Sequence, residues 1–110
     1  MAKLMIGRFY FKRTRSGNLI GEYSNNGGNV IETESAMINH TTTDFIGTYT
    51  SSWWETDPKT PVTLEISFKA GTSKSIYEMK WIEKGKTIFW GEGMLCDDIL
   101  IGDYRDFPNI

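Results

Sequence analysis

Four copies of one five-residue phrase, apolar-Ile-Gly-polar-aromatic, run through this chain. They read Met5-Ile6-Gly7-Arg8-Phe9, Leu19-Ile20-Gly21-Glu22-Tyr23, Phe45-Ile46-Gly47-Thr48-Tyr49 and Leu100-Ile101-Gly102-Asp103-Tyr104, with Phe89-Trp90-Gly91-Glu92-Gly93 as a degenerate fifth. In an extended strand, residues two apart share a face. The leading apolar residue, the glycine and the aromatic therefore point one way, and the isoleucine and the polar residue the other. A glycine between two bulky groups lets a strand coil sharply and lie close to its neighbours, as a small closed barrel requires.

Period-2 alternation continues outside the phrase. Val62-Thr63-Leu64-Glu65-Ile66-Ser67-Phe68-Lys69 is apolar on one face and polar on the other, and Tyr77, Met79 and Trp81 lie opposite Glu78 and Lys80. Turn-forming residues separate such segments, which predicts eight strands near 3–13, 18–25, 29–35, 44–54, 61–69, 74–83, 86–95 and 98–105. Residues 32–40 hold the one plausible helical turn. With 110 residues the chain makes one domain, 1–110, with a single core. Short sequential links favour an all-β, up-and-down, antiparallel eight-stranded barrel over a Greek key.

Charge placement bears on closure. Residues 1–15 carry Lys3, Arg8, Lys12, Arg13 and Arg15 and no acid, whereas residues 92–110 carry five acids against Arg105. Opposite charges across a strand pair contribute roughly 0.2–1 kcal/mol each. The expectation is that 3–12 pairs with 98–106 and closes the ring.

With these strands in hand, the chain resembles the avidin-like barrels of the wider lipocalin-like (calycin) group. The resemblance is carried by the repeated Gly-x-aromatic strands and by Tyr77-Glu78-Met79-Lys80-Trp81 leading into Thr87-Ile88-Phe89-Trp90-Gly91. It implies that Trp81 and Phe89 face a ligand. Where avidin-like proteins hold biotin's ureido group with small polar residues, this chain has Phe9-Tyr10-Phe11-Lys12-Arg13, so the resemblance does not extend to biotin.

The inward set implied by alternation is rich in rings: Phe9, Phe11, Tyr23, Tyr49, Phe68, Tyr77, Trp81, Phe89 and Tyr104. So much bulk favours a self-filled interior, because an eight-stranded barrel is just wide enough to be filled or to hold one small ligand. Inward tyrosine hydroxyls, however, each cost roughly 1–3 kcal/mol if buried without a partner, so some should meet water, a rim or a ligand. The ligand-binding candidates are Tyr23, Tyr49, Tyr77, Trp81, Phe89 and Tyr104.

Isoleucines at the second phrase position, Ile6, Ile20, Ile46 and Ile101, should point outward together with Ile88, Trp90 and Met94. Such a surface suggests a homo-oligomer, with Ile88, Trp90 and Met94 at the interface. Aromatics and bases interleave through residues 8–15, the composition of a single-strand nucleic-acid surface with Tyr10 as a stacking platform. A net charge of -2 and the lack of an RNP, KH or helix-turn-helix pattern argue against nucleic acid.

Catalytic and metal chemistry finds little support. His40 reads as a loop residue and Cys96 as a small apolar group packed at a strand end; Glu32 and Glu34, which share a strand face and could act as an acid/base pair, read rather as solvated carboxylates near a barrel mouth. Asp97-Asp98 reads as a turn. No metal or cofactor is called for. A single cysteine excludes an intrachain disulfide, and without a secretory signal or a membrane-length apolar run the expected setting is cytoplasmic. The reading is a non-enzymatic binding module for a small apolar or aromatic ligand, or one acting through an oligomeric surface. The alternatives are a cofactor-free isomerase- or cyclase-type enzyme using Tyr and Glu, and an interaction module using the basic first hairpin.

Overall fold

A computed structural model describes residues 4–28, 30–40, 44–71 and 75–107. Eight strands follow one another: β1 (Ile6–Arg13), β2 (Leu19–Asn25), β3 (Glu32–Ile38), β4 (Gly47–Trp53), β5 (Val62–Phe68), β6 (Tyr77–Glu83), β7 (Lys86–Cys96) and β8 (Ile99–Asp106). Each pairs antiparallel with the next, and β1 pairs with β8, so the sheet is a closed up-and-down barrel. The expected architecture is the observed one. The expected helical turn over 32–40 is not. Its Glu-Thr-Glu-Ser-Ala-Met-Ile core is β3, because tertiary pairing on both sides overrides the local helix propensity of Glu, Ala and Met. Parts of the expected strands at Lys3, Asn29 and Lys74 lie outside the described residues.

The seam joins the basic strand to the acidic one. Arg8 stands opposite Asp103, and Tyr10 opposite Ile101. Beyond the last ladder pair, the Met5 N–H donates to Asp106 Oδ2 at 2.8 Å and the Asp106 N–H to the Met5 carbonyl at 3.1 Å.

Two phrase glycines are required by close strand approach. A Cβ on Gly21 would lie 1.9 Å from the Tyr10 carbonyl oxygen, and one on Gly102 would lie 2.0 Å from that of Glu92 and 2.8 Å from the Phe9 ring. Two-residue turns close two hairpins. Lys84-Gly85 and Asp97-Asp98 all have positive φ, the geometry that matches the twist of the strands they join.

The alternation puts Phe9, Phe11, Leu19, Tyr49, Leu64, Met79, Trp81 and Leu100 in a common core. Ile6, Ile20, Met94 and Ile101 are exposed on the outer face, as expected. Three residues depart from expectation. Ile46 is half-buried against the core because it precedes β4 and its alternation. Ile88 also packs on the core: the register shifts after Trp81, pairing Trp81 with Phe89 and Ile82 with Thr87 and leaving Ile88 without a partner residue. Cys96 is exposed rather than packed, since it shares the outer face with Met94 at the tip of the β7–β8 hairpin. No helix among the described residues is long and apolar enough to cross a membrane.

Candidate functional site

The barrel has two unlike ends. At the end bearing the β1–β2, β3–β4, β5–β6 and β7–β8 connections, side chains fill the interior. Phe45, Phe68 and Tyr77 pack together, with Tyr77 at 5.0 Å from Phe68 and 6.4 Å from Phe45 between ring centroids. Tyr49 donates to the Phe45 carbonyl at 2.8 Å, and Tyr77 donates to the Asp44 carboxylate. Burial holds the Tyr49 hydroxyl up at about 12, and burial with the Asp44 contact raises Tyr77 further. Both hydroxyls are satisfied within the protein.

The opposite end encloses a cavity of about 120 Å³. Its walls are Trp53, Trp81, Phe89 and Tyr104, with Tyr23, Asn25, Glu34, Glu55 and Met5 completing it. Tyr104 is the hub: its ring lies 5.6 Å from Phe89, 5.8 Å from Trp81 and 6.3 Å from Tyr23, and Trp53 stands edge-on to Phe89 at 6.2 Å. Tilted and edge-to-face pairs of this kind add roughly 0.5–1.5 kcal/mol each beyond their burial, so the walls are held in place without a ligand.

Three polar groups stand in these walls. Glu34, on β3, is only 6% exposed, although the sequence suggested a solvated carboxylate. Its position two residues before the buried Ala36 puts it on the inner face of the strand. Ser51 donates to its Oε2 at 2.5 Å and the Trp81 indole N–H donates to the same oxygen at 2.8 Å. Oε1 takes no hydrogen bond from the described residues. Burial raises the Glu34 carboxyl from 4.5 to about 7, against the lowering effect of those two hydrogen bonds, and no cation among the described residues offsets it.

Tyr104 receives a hydrogen bond from Asn25 Nδ2 at 2.9 Å. The Tyr23 hydroxyl is different: among the described residues it is the one buried side-chain polar atom with no hydrogen-bond partner. Burial first, then the negative charge of Glu55, pushes it up to about 12.

Of the six expected ligand-facing residues, the structure therefore brings four together, Tyr23, Trp81, Phe89 and Tyr104, and sets Tyr49 and Tyr77 in the filled end. Sequence reasoning did not single out Glu34, Asn25, Trp53 and Glu55 for this site. A signal for Glu34 existed: Tyr49-x-Ser51-x-Trp53 repeats an inward polar residue on the neighbouring strand, and Ser51 is its partner.

The expected interface residues are differently engaged. Met94 is exposed beside Ile101, its register partner. Trp90 donates to Glu78 at 3.1 Å and lies under the Arg105 guanidinium, 5.1 Å from its ring centroid. Tyr10, expected as a stacking platform, donates to Glu22, which brings an acid between the bases of the first hairpin. No group of three His, Cys, Asp or Glu side chains clusters as a metal site among the described residues. Comparisons with family models, with characterised proteins and with solved structures return no match.

Proposed function

We propose that this protein is a non-enzymatic binding module of the avidin-like and lipocalin-like kind, holding one small, flat, largely apolar molecule in the aromatic cup. One observation carries the reading: a cavity walled mainly by rings contains a buried phenol hydroxyl that the described residues leave unpartnered, beside a carboxylate whose Oε1 takes no hydrogen bond from them. Small-molecule sites combine apolar walls with a few placed polar groups in this way. A cavity of roughly 150 Å³ takes a benzene ring, so about 120 Å³ limits the enclosed part of a ligand to at most one small ring, with any substituent reaching the open rim. Native mass spectrometry of freshly purified protein tests this directly. A retained small molecule that is lost in Trp81→Ala supports the reading, and a ligand-free chain whose tryptophan emission ignores a metabolite pool removes it.

The raised Glu34 carboxyl favours a second reading, a cofactor-free isomerase- or cyclase-type enzyme in which Glu34 moves a proton. Exchange of carbon-bound hydrogen on a retained ligand in deuterium oxide, abolished by Glu34→Gln, separates the two. The exposed Ile6, Ile20, Met94 and Ile101 support self-association. An exposed free Cys96 suits a reducing, cytoplasmic setting.

A further inference from the structure

The cup has acceptors and rings but no base among its described lining residues. Glu34 Oε1 is open to further hydrogen bonding, and the Tyr23 hydroxyl has no partner. Trp53, Trp81, Phe89 and Tyr104 present aromatic surface to the same space. The ionisable acids in the lining are Glu34 and Glu55. The carboxylates discriminate by charge. An anion meets buried negative charge with nothing to neutralise it. A neutral ring fits the walls, but where Glu34 is ionised it supplies no counter-charge. A cation with N–H donors attracts the ring faces, gives the carboxylate a charge-assisted hydrogen bond and supplies the missing partner for the phenol oxygen.

We propose that the ligand of this cup is a small organic cation, one ring in size and carrying N–H donors, with Glu34 as its counter-ion and Tyr23 as a second acceptor. The proposal rests on the cup being a ligand site, and names the class of ligand that site selects. A metal ion is a poor alternative, because Glu34 and Glu55 are the only His, Cys, Asp or Glu side chains among the described lining residues, and no group of three that could hold a metal ion occurs among the described residues.

Three probes of nearly one shape test the charge: benzamidinium, benzamide and benzoate, titrated at pH 8 against tryptophan fluorescence and checked by NMR shifts of the Trp53 and Trp81 indole N–H groups. The expected order is benzamidinium at least tenfold tighter than benzamide, with benzoate not binding. Glu34→Gln should bring the benzamidinium-to-benzamide ratio to within about twofold, and Tyr23→Phe should weaken benzamidinium severalfold. Equal binding of benzamidinium and benzamide overturns the proposal while leaving the cup as a ligand site. No response to any of the three overturns both. The native chain decides between these outcomes by itself, so a poorly folding Glu34 variant leaves the answer intact.

Discussion

The Trp81 indole donates its N–H across the barrel interior, from β6 to Oε2 of Glu34 on β3, at 2.8 Å. It anchors a carboxylate that the fold has buried among rings, and so fixes where the Glu34 head group stands in the cup. Ser51 adds a second donor to the same oxygen, and the other takes no hydrogen bond from the described residues.

Stability should fall as pH rises from about 4.5 to about 7. Glu34 keeps its proton in the folded chain up to about 7 but loses it near 4.5 when unfolded. Across that window the native state binds the extra proton, so alkali favours unfolding, by about 3 kcal/mol in total if this group acts alone. Urea unfolding at pH 5 and pH 8 measures it. Glu34→Gln should remove most of the dependence and be the more stable protein at pH 8, and a native chain with no loss across the window contradicts the burial.

Tyr23→Phe should stabilise the ligand-free barrel by about 1 kcal/mol, because it deletes a buried hydroxyl that has no partner. Chemical denaturation reads this out. A loss of stability instead means that the hydroxyl makes a contact worth keeping.

Tyr77→Phe is the contrasting case. Its hydroxyl donates to Asp44 in the filled end, so the change should cost about 1 kcal/mol of stability and leave cup binding untouched. Altered binding of a cup ligand by this variant argues that the two ends communicate.

Gly102→Ala should lose several kcal/mol or fail to fold, since its Cβ would stand 2.0 Å from backbone. Gly85, with nothing within 4 Å of an added Cβ but φ at +76°, should cost only about 1 kcal/mol on the same change. Thermal melts of both variants compare crowding with strain.

Ile101→Lys should dissolve any oligomer built on the Met94–Ile101 face without lowering the melting temperature of the barrel, because both side chains are exposed. Sedimentation velocity checks it. A native chain that is monomeric at all concentrations removes the interface.

Alternation and the glycine phrase made strand number, order and closure readable before any coordinates, since register on a half-buried sheet follows from which face is apolar. The asymmetry of the two ends was not readable. Tyr23 and Tyr49 occupy the same place in the same phrase, yet one is left unpartnered at a cavity and the other donates to Phe45. What separates them is the position of each strand along the barrel axis, a global quantity. Glu34 was misjudged because carboxylates on a strand near a barrel mouth are usually solvated. Its hydrogen bonds come from Ser51, on the next strand, and from Trp81, which arrives from a strand 47 positions along the chain.

The β1–β8 seam also carries a kinetic consequence. Met5 and Asp106, which meet there, are 101 positions apart. Seven hairpin junctions can zip locally, but the eighth must wait until the farthest strand has emerged and swung home. Until that moment two raw sheet margins face the surroundings, so a newly made chain is most vulnerable to sticking to its neighbours just before the ring locks.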